Sequence, residues 1–124
     1  MNIKNLLPII SIININIPPI GNIYGKSFNI PLIGKQYIET EYINKNQAII
    51  RLNGVINTNG TSTLYYDNNE QKFSLSENLL NTMSRFKCKI NKSYYDNNND
   101  IIIINLCFRS IITKNIILVK INNK

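Results

Sequence analysis

The pentapeptide Tyr-Tyr-Asp-Asn-Asn occurs twice, at Tyr65–Asn69 and at Tyr94–Asn98, each time between runs of β-branched and aromatic residues. Asn and Asp tolerate left-handed backbone and hydrogen-bond to their own main chain, so such clusters between strand-forming runs mark hairpin tips. Strand signals recur near residues 21–29, 36–43, 47–56, 61–67, 71–75, 84–95, 100–112 and 116–122. The connections are short, so neighbouring strands pair antiparallel as a meander. A chain of 124 residues suits one domain with a modest core. The expectation is an all-β barrel of about eight strands, with a β-sandwich as the alternative. One short helix is expected near 76–83, where Ser76 can cap Glu77-Asn78-Leu79-Leu80-Asn81.

Side-chain alternation fixes a register, because a slip of one residue turns every side chain to the wrong face. A loop at Asn44-Lys45-Asn46 sets Tyr42 opposite Ala48, Thr40 opposite Ile50 and Ile38 opposite Leu52. On the other face it sets Glu39 against Arg51, a favourable cross-strand pair. A two-residue loop at Asn68-Asn69 sets Leu64 opposite Phe73. For the second copy, a three-residue loop at Asn97-Asn98-Asn99 sets Cys88 opposite Phe108, Ile90 opposite Leu106 and Tyr94 opposite Ile102. A two-residue loop there would put Phe86 opposite Arg109, so the three-residue loop is preferred.

Ile, Asn and Lys dominate the composition, a bias that follows from codons rich in A and T. The Asn residues are spread through strand-like patterns, which argues against a disordered low-complexity chain. Fourteen Lys and Arg against seven acids leave a net charge of +7. Such a balance permits nucleic acid, anionic lipid or acidic protein as partners without choosing among them. Residues 1–20 are apolar, but Pro8, Asn14 and Asn16 interrupt the run and no Ala-x-Ala cleavage site follows. The run is too short for a spanning helix. It is expected to be an extended arm, laid on the barrel or on a partner, preceding one barrel domain at 21–124. A targeting sequence of unusual form is the alternative.

Histidine is absent. That removes the usual general base, the commonest metal ligand and any Ser-His or Cys-His pair. Glu39 and Glu41 share the outward face of a strand near Arg51 and read as solvated surface. Asp96-Asn97-Asn98-Asn99-Asp100 begins like a calcium loop, yet Ile101 stands at the required Gly and Cys107 at the closing Glu, so turn chemistry explains it. In the preferred register Cys88 and Cys107 fall on opposite faces of adjacent strands and cannot join, whereas the two-residue-loop register would allow a disulfide. Two reduced thiols favour a reducing intracellular compartment. Arg85, Lys87 and Lys89 alternate with Phe86, Cys88 and Ile90, and Arg109 falls opposite Lys87. These four cations form a candidate patch for an anionic partner, against the plainer reading of a solvated face. No catalytic residue, metal or cofactor is expected.

Gly21-Asn22-Ile23-Tyr24 sits where lipocalins carry Gly-x-Trp, and Ile117-Leu118-Val119-Lys120 is similar to their last strand with its cation. With the eight-strand meander, the chain resembles the calycin group of lipocalin-like barrels. The resemblance implies an apolar ligand, a lipid or pigment, lined by Tyr42, Tyr66, Tyr94 and Phe108. A barrel of eight strands can also be filled by its own side chains. The leading expectation is a non-enzymatic barrel serving as an interaction subunit of a larger protein assembly. Its motive is the missing catalytic set, the apolar arm, and the strand at 100–112, which is apolar on both faces around Ile101–Ile104. A lipocalin-like carrier is second, and an OB-like nucleic-acid-binding barrel third.

Overall fold

Asn68 and Asn69 both adopt left-handed backbone, with φ of 54° and 65°, as a two-residue turn between twisted strands requires. The turn belongs to a computed structural model that describes residues 16–122. It joins two of eight strands: β1 (Ile23–Ile30), β2 (Gly34–Tyr42), β3 (Gln47–Gly54), β4 (Thr58–Asp67), β5 (Glu70–Leu75), β6 (Cys88–Asp96), β7 (Ile101–Phe108) and β8 (Ile112–Lys120). One helix, α1 (Glu77–Arg85), lies between β5 and β6. The sheet order is β5-β4-β3-β2-β1-β8-β7-β6, antiparallel throughout. β1 and β8 close on each other through Tyr24 opposite Lys120 and Gly25 opposite Val119. The barrel is therefore nearly closed, with one open seam where β5 and β6 have no neighbour on one side.

Most of the expected registers hold. Tyr42 stands opposite Ala48, Ile38 opposite Leu52, Leu64 opposite Phe73 and Cys88 opposite Phe108. Arg51 bridges Glu39 at 2.5 Å and Glu41 at 2.8 Å on the outer face. The second Tyr-Tyr-Asp-Asn-Asn tip differs from expectation. Asp96 pairs with Ile101 across a four-residue loop, 97–100. The Asp96 carboxylate accepts the Asn98 N–H at 3.0 Å and the Asn99 amide at 2.8 Å, which holds the wider loop.

A β-bulge then sets Tyr94 opposite Ile103 and Tyr95 opposite Ile102. The extra residue is Asn91, since Ile90 meets Leu106 and Lys92 meets Asn105. The Asn91 side-chain amide donates to Asn105 Oδ1 at 3.0 Å, and Asn105 in turn donates to Asn115 Oδ1 at 2.7 Å. Tyr94 consequently points outward. Tyr95 takes the inward position, edge-on to Tyr24 at 6.0 Å between ring centroids.

The core fills the barrel. Tyr24, Ile38, Ile102, Ile104, Leu79 and Leu118 are fully buried, each contributing about 1.5–3 kcal/mol through area removed from water. Both ends are plugged. At one end Leu79 and Met83 of α1, one turn apart, reach into the core. Gly60 permits that approach, because a Cβ there would collide with Ser76 Oγ and stand 2.8 Å from Leu79 Cβ. Ser76 holds the N-cap position, but its hydroxyl accepts the Thr61 N–H at 3.0 Å and does not cap the helix. At the other end Ile17 packs on the core and Pro18 is buried, while the Asn16 amide donates to Tyr95 O at 3.1 Å. Of the expected arm over 1–20, residues 1–15 lie outside the described residues.

Candidate functional site

The open seam is where the chain offers a site. β5 spans only six residues and leads into α1 instead of a tight turn, so the next strand cannot fold back on it. Between the unpaired edges of β5 and β6 runs a cleft of about 1600 Å³. Its apolar floor comes from inward positions of both strands, Phe73, Leu75, Cys88 and Ile90, and from Leu80 and Met83 of α1. Around it stand Lys72, Lys87, Lys89, Lys92 and Arg109, with Glu70 the one acid in the lining.

Local backbone explains how these cations reach the rim. Lys89 projects outward from β6 because Cys88 and Ile90 face inward. Lys87 follows the last turn of α1 with φ of 57°, and its N–H donates to Ser84 O at 3.0 Å. That left-handed position ends many helices and usually holds Gly. Arg109, with φ of 53°, opens the turn after β7 and donates its N–H to Lys87 O at 2.8 Å. Lys72 is partly balanced, 3.6 Å from Asp67 and 4.0 Å from Glu70. Among the described residues, Lys87, Lys89 and Arg109 have no such ion pair. Lys92 lies 6.0 Å from the centroid of the Tyr94 ring, a contact that steadies the cation at the mouth of the cleft.

The four cations expected as one strand face are therefore only partly united. Lys87, Lys89 and Arg109 border the cleft; Arg85 sits in the last turn of α1 and is not in its lining. The expected strand at 84–95 begins at Cys88, because Leu79 and Met83 anchor a helix that runs on through Arg85. Lys72 and Lys92 were not anticipated. Lys72 could have been found from its outward position on β5, two residues from nothing but polar neighbours on that face, Glu70 and Ser74.

The four expected lining residues do not surround one cavity. Tyr42 and Phe108 are buried in the core, Tyr66 is half-buried, and Tyr94 points outward at 44% exposure. Phe108 borders an interior void of only about 10 Å³, barely the space of one water. Burial pushes the Tyr42 hydroxyl up to about 12 and the Cys88 thiol up to about 11, the latter helped by Cys107. Both therefore stay protonated near neutrality. Cys88 and Cys107 are free thiols on opposite faces.

At the plugged end near Asn16, the Tyr24 and Tyr95 hydroxyls both donate to the Asp100 carboxylate, the latter at 2.7 Å. Those bonds hold Asp100 below the usual carboxylate range, and burial followed by the Asp100 bond pushes Tyr24 up. The trio closes the barrel end. Among the described residues, no three His, Cys, Asp or Glu side chains are grouped to hold a metal ion, and no helix is long and apolar enough to cross a membrane. Compared with known protein families, characterised proteins and solved structures, the chain matches none.

Proposed function

We propose that this chain is a non-catalytic binding barrel, an interaction subunit that engages an anionic partner through the cleft between β5 and β6. The observation that carries this reading is the ring of five cations around an apolar floor, at the one seam the sheet leaves open. Unpaired cations beside a low-dielectric floor attract an anion more strongly than the same charges spread over open surface. The floor favours a partner with an apolar portion. Affinity for the dye 8-anilinonaphthalene-1-sulfonate, which combines the two features, tests it. Binding at low salt should rise in fluorescence, weaken with added salt, and fall at least tenfold in Lys87→Glu/Lys89→Glu. Absence of binding at low salt would remove the proposal.

A carrier of a single small amphiphile is the second reading, favoured by the apolar floor. The likeness to calycin barrels belongs with it, supported by the meander order and the β1–β8 closure. With an interior void of only about 10 Å³, the cleft is the larger space open to such a ligand. Organic extraction of native protein followed by mass spectrometry checks for it. An OB-type nucleic-acid barrel is less well supported, since those barrels are Greek keys and this sheet is a meander.

A further inference from the structure

Resting on that reading of the cleft, we infer that its occupant is an extended strand of another polypeptide, with acidic side chains at alternate positions, laid between β5 and β6. Both walls of the cleft are sheet edges. Each carries a row of backbone N–H and C=O groups that no neighbouring strand meets, the template on which β-augmentation is built. A small anion satisfies the cations and leaves both rows to water. A strand satisfies rows, floor and rim together.

The alternation on the two walls agrees. On β5, Phe73 is half-buried toward the core while Lys72 faces out; on β6, Ile90 faces in while Lys89 faces out. A strand between them, whose side chains alternate with a period of two, would set one face on Phe73 and Ile90. Its other face would lie between Lys72 and Lys89. Apolar residues suit the first and carboxylates the second, which is the charge complementarity that selects an acidic partner.

The length is bounded as well. β5 offers six residues, about 20 Å of strand. At the far end of β6 the Asn16 amide already occupies Tyr95 O, so the ladder ends short of that carbonyl. β5 and β6 run in opposite senses, so the incoming strand is antiparallel to one edge and parallel to the other. Lys87 adds an independent mark. It keeps a cation at a left-handed position where Gly would be less strained.

The test uses an eight-residue peptide of alternating Glu and Val, and the same peptide N-methylated at every second residue. N-methylation keeps the side chains and removes ladder donors. The full chain should bind the first peptide, protect amides of β5 and β6 from hydrogen exchange, and bind the methylated peptide at least tenfold more weakly. Lys87→Gly should raise the melting temperature while weakening the peptide. A Lys-Val peptide should not bind. Equal binding of both Glu-Val peptides overturns the strand inference and leaves the anionic site standing. So does dodecyl phosphate binding in the cleft with no binding of either peptide. If the dye also fails to bind at low salt, the proposed function falls with it.

Discussion

The two copies of Tyr-Tyr-Asp-Asn-Asn begin alike and end differently. In each, the first tyrosine faces solvent, Tyr65 at 45% and Tyr94 at 44% exposure, and the second turns toward the barrel. After the shared aspartate they diverge. Asp67 pairs with Glu70 across Asn68-Asn69, both left-handed, and its carboxylate goes to Lys72. Asp96 instead folds its carboxylate back onto Asn98 and Asn99, and the loop runs on to a left-handed Asp100. The extra length delivers the Asp100 carboxylate to Tyr24 and Tyr95. One tip is a turn and nothing more; its twin is a turn that also latches the end of the barrel. Five identical residues do not determine a loop, because the partners of its aspartate decide where the chain goes next.

That contrast can be broken at several points. The largest effect is expected within the second copy itself. Tyr95→Ala removes a core-facing ring and a bond to Asp100 and should cost about 2–3 kcal/mol in denaturant unfolding, while Tyr94→Ala should stay within about 0.5 kcal/mol. Similar losses at both positions would mean the bulge does not set the faces as described.

Asp100→Ala should cost about 1 kcal/mol, the exposed carboxylate being partly screened by water. Deleting Asn99 and Asp100 together keeps the register of Asp96 with Ile101 and shortens the loop to two residues. The deletion should cost about as much as Asp100→Ala if carrying that carboxylate is what the longer loop is for. Acid tests the same latch by titration. The Asp100 pKa is depressed on folding, by the Tyr24 bond first and the Tyr95 bond second. Its contribution is present above the ordinary carboxylate pKa and is lost as pH falls through the depressed value. Wild type should therefore lose stability in acid more steeply than Asp100→Ala, and parallel curves would discard the latch. The smallest effects lie at the turns. Asn69→Gly should stabilise by a few tenths of a kcal/mol, because Gly meets its positive φ without strain. Asn98→Gly, at a residue without positive φ, should destabilise slightly.

Much of the fold was legible in the sequence. Alternation and the turn residues predicted the pairings at Tyr42–Ala48, Leu64–Phe73 and Cys88–Phe108, and the helix after Ser76. The register beyond Ile90 was not, because one extra residue, Asn91, leaves no periodic signal. Its amide partners Asn105 and Asn115 are known only once three strands are aligned. The first copy nonetheless held the clue, since Tyr65 outward and Tyr66 inward is the pattern Tyr94 and Tyr95 repeat. The burial of Tyr24 has no local sign in the sequence, because it depends on the β1–β8 closure and on Asp100, both distant in sequence. Of the cleft, Lys87, Lys89 and Arg109 were singled out as one patch. The cleft itself was not foreseen, since an unpaired seam is defined by a pairing that does not happen.

The closure of β1 on β8 has a kinetic consequence. Ile23 N–H donates to Asn122 Oδ1, a bond spanning 99 residues of sequence, and the Asn122 amide returns to Gly21 O. A hairpin such as β4–β5 can form while the chain is still emerging from the ribosome. The β1–β8 contact must wait for β8, which follows the other seven strands in the chain. Contacts of such long sequence separation slow folding, and until this one forms β1 and β8 are further exposed edges. The nascent protein is therefore most prone to mispairing at the side that, once folded, is sealed.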